Sequence, residues 1–163
     1  MKNTFRLLFP ALLLTSSFAQ AENWPQFRGP TGQGISSEKN LPAEWSTTKN
    51  VAWKVDVEGE GWSSPVIVDG RVYLTAAVTP AGGEGKDRSL RTLCLDVKTG
   101  KTVWNTEVFS QQDGATDRIH GKNSHASPTP IVDGKNIYVH FGTQGTASLT
   151  LDGKIVWKTT ELV

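Results

Sequence analysis

The chain contains the segment Ser64-Pro65-Val66-Ile67-Val68-Asp69-Gly70-Arg71-Val72-Tyr73-Leu74, which returns as Ser127-Pro128-Thr129-Pro130-Ile131-Val132-Asp133-Gly134-Lys135-Asn136-Ile137-Tyr138-Val139. A second segment, Leu95-Asp96-Val97-Lys98-Thr99-Gly100-Lys101-Thr102-Val103-Trp104, follows the first copy and returns in shortened form as Leu151-Asp152-Gly153-Lys154-Ile155-Val156-Trp157. Trp53, in Val51-Ala52-Trp53-Lys54-Val55, is interpreted as the end of an earlier copy. The three tryptophans lie 51 and 53 positions apart, which indicates an internal repeat of roughly fifty residues.

Each repeat is predicted to form four short strands. Apolar and β-branched runs are separated by turn residues, and these runs extend from Pro65 to Val68, Val72 to Val78, Leu90 to Leu95 and Thr102 to Phe109. Asp69-Gly70, Asp133-Gly134 and Asp152-Gly153 are typical of tight hairpins, in which a residue adopts positive φ. A repeated four-stranded antiparallel unit of this length predicts an all-β fold built of β-propeller blades.

The first 21 residues are predicted to be a signal peptide. Lys2 and Arg6 form a basic start, the segment 7–14 is apolar apart from one proline, and Ala19-Gln20-Ala21 is a typical cleavage sequence. We therefore expect cleavage after Ala21, no transmembrane segment after cleavage, and an exported protein that is periplasmic or secreted.

The remaining chain is predicted to divide into two parts. Residues 22–50 are expected to be irregular, and residues 51–163 are expected to form a partial propeller with a strand at 51–57, a blade at 62–109 and a second blade at 125–162. Closed propellers typically contain four to eight blades. We therefore expect about two blades plus one orphan strand of an incomplete propeller, as in an N-terminal fragment of a longer protein.

Composition excludes several classes of function. The 163 residues include 17 Lys and Arg against 16 Asp and Glu, with a formal net charge of +1 and no long basic run, so nucleic acid is not an expected partner. The single cysteine, Cys94, excludes an internal disulfide and is expected to be a small buried residue. The common phosphate-loop, nucleophile-elbow and HExxH motifs do not occur.

The repeat resembles a known family. Asp96, Thr99, Gly100 and Trp104, combined with the Ser-Pro and Asp-Gly-x-Val-Tyr pattern, are similar to the pyrroloquinoline-quinone-type (PQQ-like) propeller repeat. That family includes quinoprotein alcohol dehydrogenases and the non-enzymatic outer-membrane assembly propeller BamB. The segments Asn23-Trp24-Pro25-Gln26-Phe27-Arg28-Gly29-Pro30 and Gly61-Trp62-Ser63-Ser64-Pro65 further resemble exported bacterial PQQ-like repeat proteins.

The resemblance implies that the tryptophan of each repeat docks against a neighbouring blade. The residues to which it assigns this structural role are Trp53, Asp96, Thr99, Gly100, Trp104, Asp152 and Trp157. The second copy departs from the pattern because Asp152-Gly153 replaces the Thr-Gly turn, and a shorter turn is expected there.

Loop lengths indicate where a ligand or partner binds. Tyr73 and Leu95 lie 22 positions apart, whereas Tyr138 and Leu151 lie 13 apart, and the connection between the two repeats is also longer than the one before the first. In a four-stranded meander, the connection into a blade and the loop between its second and third strands emerge on one face, here called the long-loop face. Insertions confined to one face of a repeat array commonly mark a binding face.

Polar and aromatic residues of this face are the candidate binding residues: Trp62, Lys86, Arg88, Arg118, His120, Lys122, Asn123 and His125. Each also has an ordinary structural interpretation. The charged residues suit a solvated loop, Trp62 suits a packed aromatic, and the spacing of His120 and His125 matches no regular element, so no metal site is predicted.

Three functions follow from these observations. The favoured one is an exported non-catalytic platform that binds an unidentified protein or small molecule on the long-loop face. The second, implied by the resemblance, is a PQQ-dependent alcohol or sugar dehydrogenase that binds the quinone with calcium, although the adjacent cysteine pair of the alcohol dehydrogenases does not occur here. The third is an envelope-assembly scaffold resembling BamB, although no cysteine near the expected cleavage site can carry a lipid anchor.

Overall fold

Two antiparallel sheets of four strands make up the fold. The computed structural model describes residues 22–82, 87–112 and 119–161. The first blade contains β1 (Val66–Val68), β2 (Arg71–Val78), β3 (Arg88–Asp96) and β4 (Thr102–Gln111). The second contains β5 (Ile131–Val132), β6 (Asn136–His140), β7 (Thr146–Thr150) and β8 (Ile155–Thr159), with a single 3₁₀ turn at Gly142–Gln144 between β6 and β7. In each blade, consecutive strands are neighbours, which confirms the predicted all-β fold of propeller blades.

Tight turns join the first two strands of each blade. Asp69 and Gly70 have φ angles of 49° and 73°, which are the left-handed values that a two-residue hairpin loop requires. In the second blade, the loop between β5 and β6 has one more residue, and the Asp133 carboxylate accepts hydrogen bonds from the backbone amides of Lys135 and Asn136, both at 2.8 Å. The repeated Asp-Gly pair therefore makes two different turns.

Both blades carry a bulge beside their tryptophan. Trp104 of β4 pairs with Cys94, but the next pair joins Leu95 to Thr102, so Val103 has no partner. The second blade repeats this irregularity, with Trp157 opposite Ser148 and Ile155 opposite Leu149. Because a bulge bends and twists its strand, this feature re-aims the adjacent side chain.

The core lies between the two sheets. One continuous apolar cluster includes Leu90 and Val66 of the first blade with Ile137 and Leu149 of the second, and all four side chains are fully buried. Cys94 is also buried, as predicted. Because the cluster draws on both sheets, the blades pack face to face and are stabilised by the same burial of apolar surface.

The described chain before the first blade contains no assigned strand. Residues 51–57, expected to form an orphan strand, pair with no strand of the described chain, so that strand stays a prediction. Residues 22–50 contain turns and bends, with isolated bridges at Trp24 and Ser46. The predicted signal peptide, at 1–21, lies outside the described residues. Within the described ranges, no helix is long and apolar enough to cross a membrane.

Candidate binding face

Trp104 joins the first blade to the second. Its indole Nε1 donates a hydrogen bond to the carbonyl oxygen of Leu151 at 3.0 Å. The ring also covers Gly153, where a Cβ atom would lie 2.6 Å from the ring carbon Cδ2. Only glycine accommodates the indole there, and Gly153 also has a φ of 85°.

Trp53 makes the equivalent contact with the first blade. Its Nε1 donates to the carbonyl oxygen of Val97 at 2.9 Å, and a Cβ atom on Gly100 would lie 2.5 Å from its ring. The Thr-Gly turn of the first blade and the Asp-Gly turn of the second therefore place a glycine under the tryptophan that precedes each blade. The second repeat has Asp152-Gly153 in place of the Thr-Gly pair, and it still packs a glycine against a tryptophan ring.

Aspartates stabilise the turns on which the tryptophans rest. Asp96 accepts hydrogen bonds from the Thr99 hydroxyl at 2.9 Å and from the amides of Thr99 and Lys98, and its second oxygen lies 2.7 Å from an Arg71 guanidinium nitrogen. The Thr99 hydroxyl, then these amides and the Arg71 charge, lower the pKa of Asp96 despite partial desolvation. The Asp152 carboxylate accepts a hydrogen bond from the Thr150 hydroxyl, and this bond is the main cause of the lowered pKa of Asp152. These carboxylates act as acceptors within turns.

Trp157 lies in a different environment from the other two tryptophans. It packs beside Tyr138 with ring centroids 6.3 Å apart, as Trp104 packs beside Tyr73 at 6.0 Å. However, 44% of its surface is exposed, and no turn of the described chain covers it. The docking of Trp157 against a neighbouring blade stays a prediction, because the described residues supply no third glycine-bearing turn.

The long-loop face exists in both blades. In the first, Glu60 of the incoming connection exchanges backbone hydrogen bonds of 2.9 and 2.7 Å with Ala77 at the end of β2. In the second, the incoming connection meets the turn between β6 and β7 around a shared cavity. The two connections also contact each other, since the Trp62 amide donates to the Ala126 carbonyl at 3.1 Å.

The shared cavity has a volume of about 330 Å³. Its described lining comprises Ile119, His120, Asn123, Ser124, His125, Ser127, Pro128, Phe141, Gly142, Thr143 and Gln144. Three of the predicted candidates, His120, Asn123 and His125, are thus brought together. The lining combines apolar surface with amide, hydroxyl and imidazole groups, which is the usual make-up of a small-ligand site.

A hydrogen-bonded turn fixes one wall of the cavity. The Ser127 hydroxyl accepts from the Ser124 amide at 2.8 Å and donates to the Ser124 carbonyl at 3.1 Å. The Ser124 hydroxyl accepts from the Ala126 amide at 3.2 Å. Opposite, Phe141 is buried and packs edge-on to Phe109 of the first blade at 6.0 Å. The scaffold therefore holds both the Ser124–Ser127 turn and Phe141 in place.

Trp62 and His125 occupy the same position of the repeat, three residues before the proline of the Ser-Pro pair. Trp62 is 57% exposed, whereas His125 is half-buried in the cavity wall. Sequence reasoning selected both rings separately and missed their equivalence. Extending the alignment of the two repeats by two residues toward the N-terminus places Trp62 and His125 at equivalent positions.

The other candidates lie elsewhere. Lys122 is exposed, and its amide donates to His120 Nδ1 at 3.2 Å. Arg88 lines a separate hollow of the first blade with residues 58–60, and one of its nitrogens lies 3.4 Å from the Thr79 hydroxyl. Lys86 and Arg118 lie outside the described residues.

The segment before the blades binds the first strand of each sheet, a feature that sequence reasoning missed. Trp24 exchanges backbone hydrogen bonds of 2.6 and 2.9 Å with Ile67 of β1, and the Pro25 carbonyl accepts from the Val132 amide of β5 at 2.9 Å. The Asn23 side chain also exchanges two hydrogen bonds with Asp69. The motif at 23–30, which sequence reasoning used only for its resemblance, is therefore part of the two-blade structure.

These features define a repeat protein of the β-propeller class, in which each blade receives the tryptophan of the segment before it. The chain belongs to the PQQ-like repeat family described as outer membrane protein assembly factor BamB, whose sequence profile matches residues 35–161. This family is associated with the bacterial envelope. No curated protein matches the chain significantly.

The described lining of the shared cavity does not fit a site for PQQ with calcium. The quinone carries three carboxylates, which require cationic partners, and the described lining of the cavity contains no Lys or Arg. In the same part of the chain, no three His, Cys, Asp or Glu side chains converge as ligands for a metal ion. Cys94 is the single cysteine, so the adjacent pair is not present in this sequence.

Proposed function

We propose that this protein is an exported, non-catalytic binding platform whose long-loop face holds a ligand or partner. The observation that carries the proposal is the cavity between the connection at 119–128 and the turn at 141–145. Loops on a rigid β-scaffold can vary without disturbing the core, and recognition surfaces are commonly built in this way. Here the scaffold fixes Ser124 and Phe141 on opposite sides of the cavity.

The chemistry of the cavity supports recognition. Its described lining offers donors and acceptors from Asn123, Gln144 and Thr143 beside the apolar surface of Ile119 and Pro128. Such a surface can bind the apolar part of a ligand and orient its polar groups by hydrogen bonds, so specificity does not require charged side chains.

The ionisable groups with shifted pKa values also support a platform. Among the described residues, hydrogen bonds within turns lower the pKa values of Asp96, Asp133 and Asp152, and hydrogen bonds from Ser37 and Ser36 lower that of Glu22. Burial raises the pKa values of Tyr73 and Cys94. All six groups belong to turns, to the segment before the blades or to the core. A catalytic site usually gathers such groups in a cleft.

The family favours a protein partner in the cell envelope. Its description names an outer membrane protein assembly factor, and residues 1–21 have the pattern of a signal peptide. We therefore propose export to the periplasm or beyond, cleavage after Ala21, and a scaffold role among envelope proteins. N-terminal sequencing of the mature protein tests the cleavage, since Glu22 is the expected first residue.

Affinity purification from the envelope fraction tests the platform. The double variant Asn123→Ala/Gln144→Ala removes two amides from the cavity, and Lys135→Ala provides a control in the tight turn between β5 and β6. We expect a specific partner or ligand to be recovered with the parent protein and Lys135→Ala but to be reduced at least tenfold with the double variant. Equal recovery with all three proteins would contradict the proposal, provided that their unfolding temperatures agree.

A further inference from the structure

A rigid loop at 24–34 presents an aromatic and a cationic side chain beside the second blade. The Gln26 amide side chain donates to the Gly29 carbonyl at 2.9 Å, and the Gly34 amide donates to the Arg28 carbonyl at 2.8 Å. Gly29 has a φ of 72°, and a Cβ atom there would lie 2.7 Å from the Trp24 ring. The backbone on both sides of Phe27 and Arg28 is therefore fixed.

A groove of about 530 Å³ lies between this loop and the start of β5. Its described lining comprises Gln26, Phe27, Arg28, Gly32, Ser127, Thr129 and Ile131. Phe27 is 63% exposed and Ile131 is 50% exposed. Two large apolar side chains thus remain in water on a part of the structure that is otherwise well bonded.

Arg28 is the one charged residue among the described residues that line the groove. Its guanidinium makes no ion pair with any residue in the described ranges. The hydroxyl of Thr129, on the opposite side, accepts a hydrogen bond from the Ser64 amide at 3.0 Å and keeps its own proton for donation. A positive charge, a hydroxyl donor and two apolar side chains therefore face a single volume.

We propose that this groove binds a small organic acid with an apolar body, whose carboxylate pairs with Arg28 and whose apolar part covers Phe27 and Ile131. Guanidinium groups pair with carboxylates through two parallel hydrogen bonds, which gives geometry as well as attraction. Burial of the exposed apolar surface supplies the remaining affinity. This groove is separate from the cavity of the proposed platform, although Ser127 borders both.

Isothermal titration of the full chain with 3-phenylpropionate tests the proposal. The neutral amide, 3-phenylpropionamide, has the same apolar body and is the matched ligand control. We expect the acid to bind at least about tenfold more tightly than the amide, which corresponds to about 1.4 kcal/mol. Arg28→Gln should remove this preference, and Phe27→Ala should weaken both ligands.

Two further variants test whether the acid binds in this groove rather than through general charge attraction or in the platform cavity. Lys101→Gln removes one positive charge from the turn between β3 and β4, and Asn123→Ala alters the platform cavity. Both should leave binding of the acid unchanged. Equal binding of acid and amide, no binding of the acid at millimolar concentration, or an Arg28→Gln variant that keeps the preference would each overturn the proposal.

Discussion

The indole of Trp104 lies directly on the backbone of Gly153, and its Nε1 donates to the carbonyl of Leu151 two residues earlier. Trp53 and Gly100 repeat the relationship one blade earlier. In both places, the indole ring of a tryptophan packs directly on a glycine. The contact of Trp104 with Gly153 joins the two blades at the turns between their third and fourth strands, on the face opposite the long-loop face.

Substitution of Gly153 by alanine should destabilise the protein. The new Cβ atom would meet the Trp104 ring at 2.6 Å, and the φ of 85° is unfavourable for alanine. We expect a loss of about 2–4 kcal/mol in the free energy of unfolding, measured by urea denaturation. Gly134→Ala is the matched control because Gly134 has a φ of 92° and no atom near its Cβ position. The control should lose only about 1–2 kcal/mol, and equal losses would argue against a packed ring.

Removal of the indole donor should also weaken the contact between the blades. Trp104→Phe keeps an aromatic ring but leaves the Leu151 carbonyl without its donor, at a cost of about 1–3 kcal/mol. Trp45 is 65% exposed, so Trp45→Phe should change the free energy of unfolding by no more than about 0.5 kcal/mol. The unfolding temperatures of Trp104→Phe and Trp45→Phe, each compared with that of the parent protein, test this difference. A Trp104→Phe variant as stable as Trp45→Phe would show that the hydrogen bond is unimportant.

Acid should destabilise the turn that receives Trp53. Because Asp96 has a lower pKa in the folded than in the unfolded state, its contribution is fully present above the unfolded pKa of about 3.9 and is lost as pH falls through the folded value. The Thr99 hydroxyl is the main cause of the shift. Thr99→Val should therefore raise the pKa of Asp96, as measured by NMR titration of its carboxyl carbon. An unchanged titration would contradict this assignment.

Cys94 should react slowly with thiol reagents in the folded protein. Burial raises the pKa of its thiol to about 11, so little thiolate forms at neutral pH. We expect labelling by a chromogenic disulfide at pH 8 to be at least a hundredfold slower in the native protein than in urea. Equal rates would mean that β3 opens readily to solvent.

Sequence reasoning predicted the parts of the fold that repeat. The two Ser-Pro and Asp-Gly segments indicated both blades because alternation and turn chemistry are local properties. The orphan strand at 51–57 stays a prediction, because this segment pairs with no strand of the described chain and a strand is assigned only where it has a neighbour. The bonds from Asn23 to Asp69 and from Pro25 to Val132 were missed because they join irregular backbone to distant strands.

The candidate site was predicted less completely than the fold. Loop lengths indicated the end of the second blade at which the cavity lies, and His120, Asn123 and His125, which line it, were chosen as polar loop residues. Phe141, Thr143 and Gln144 were not chosen, because the short turn that contains them shows no insertion. Only the tertiary structure places this turn opposite the longer connection.

Site-specific photo-crosslinking in living cells tests the binding role of the long-loop face most directly. A photoreactive amino acid at position 123 would lie in the cavity, and the same residue at position 135 would lie in the tight turn between β5 and β6. We predict a discrete crosslinked product from position 123 and none from position 135. Products from position 135 alone, or none from position 123 in folded and exported protein, would contradict a binding role for this face.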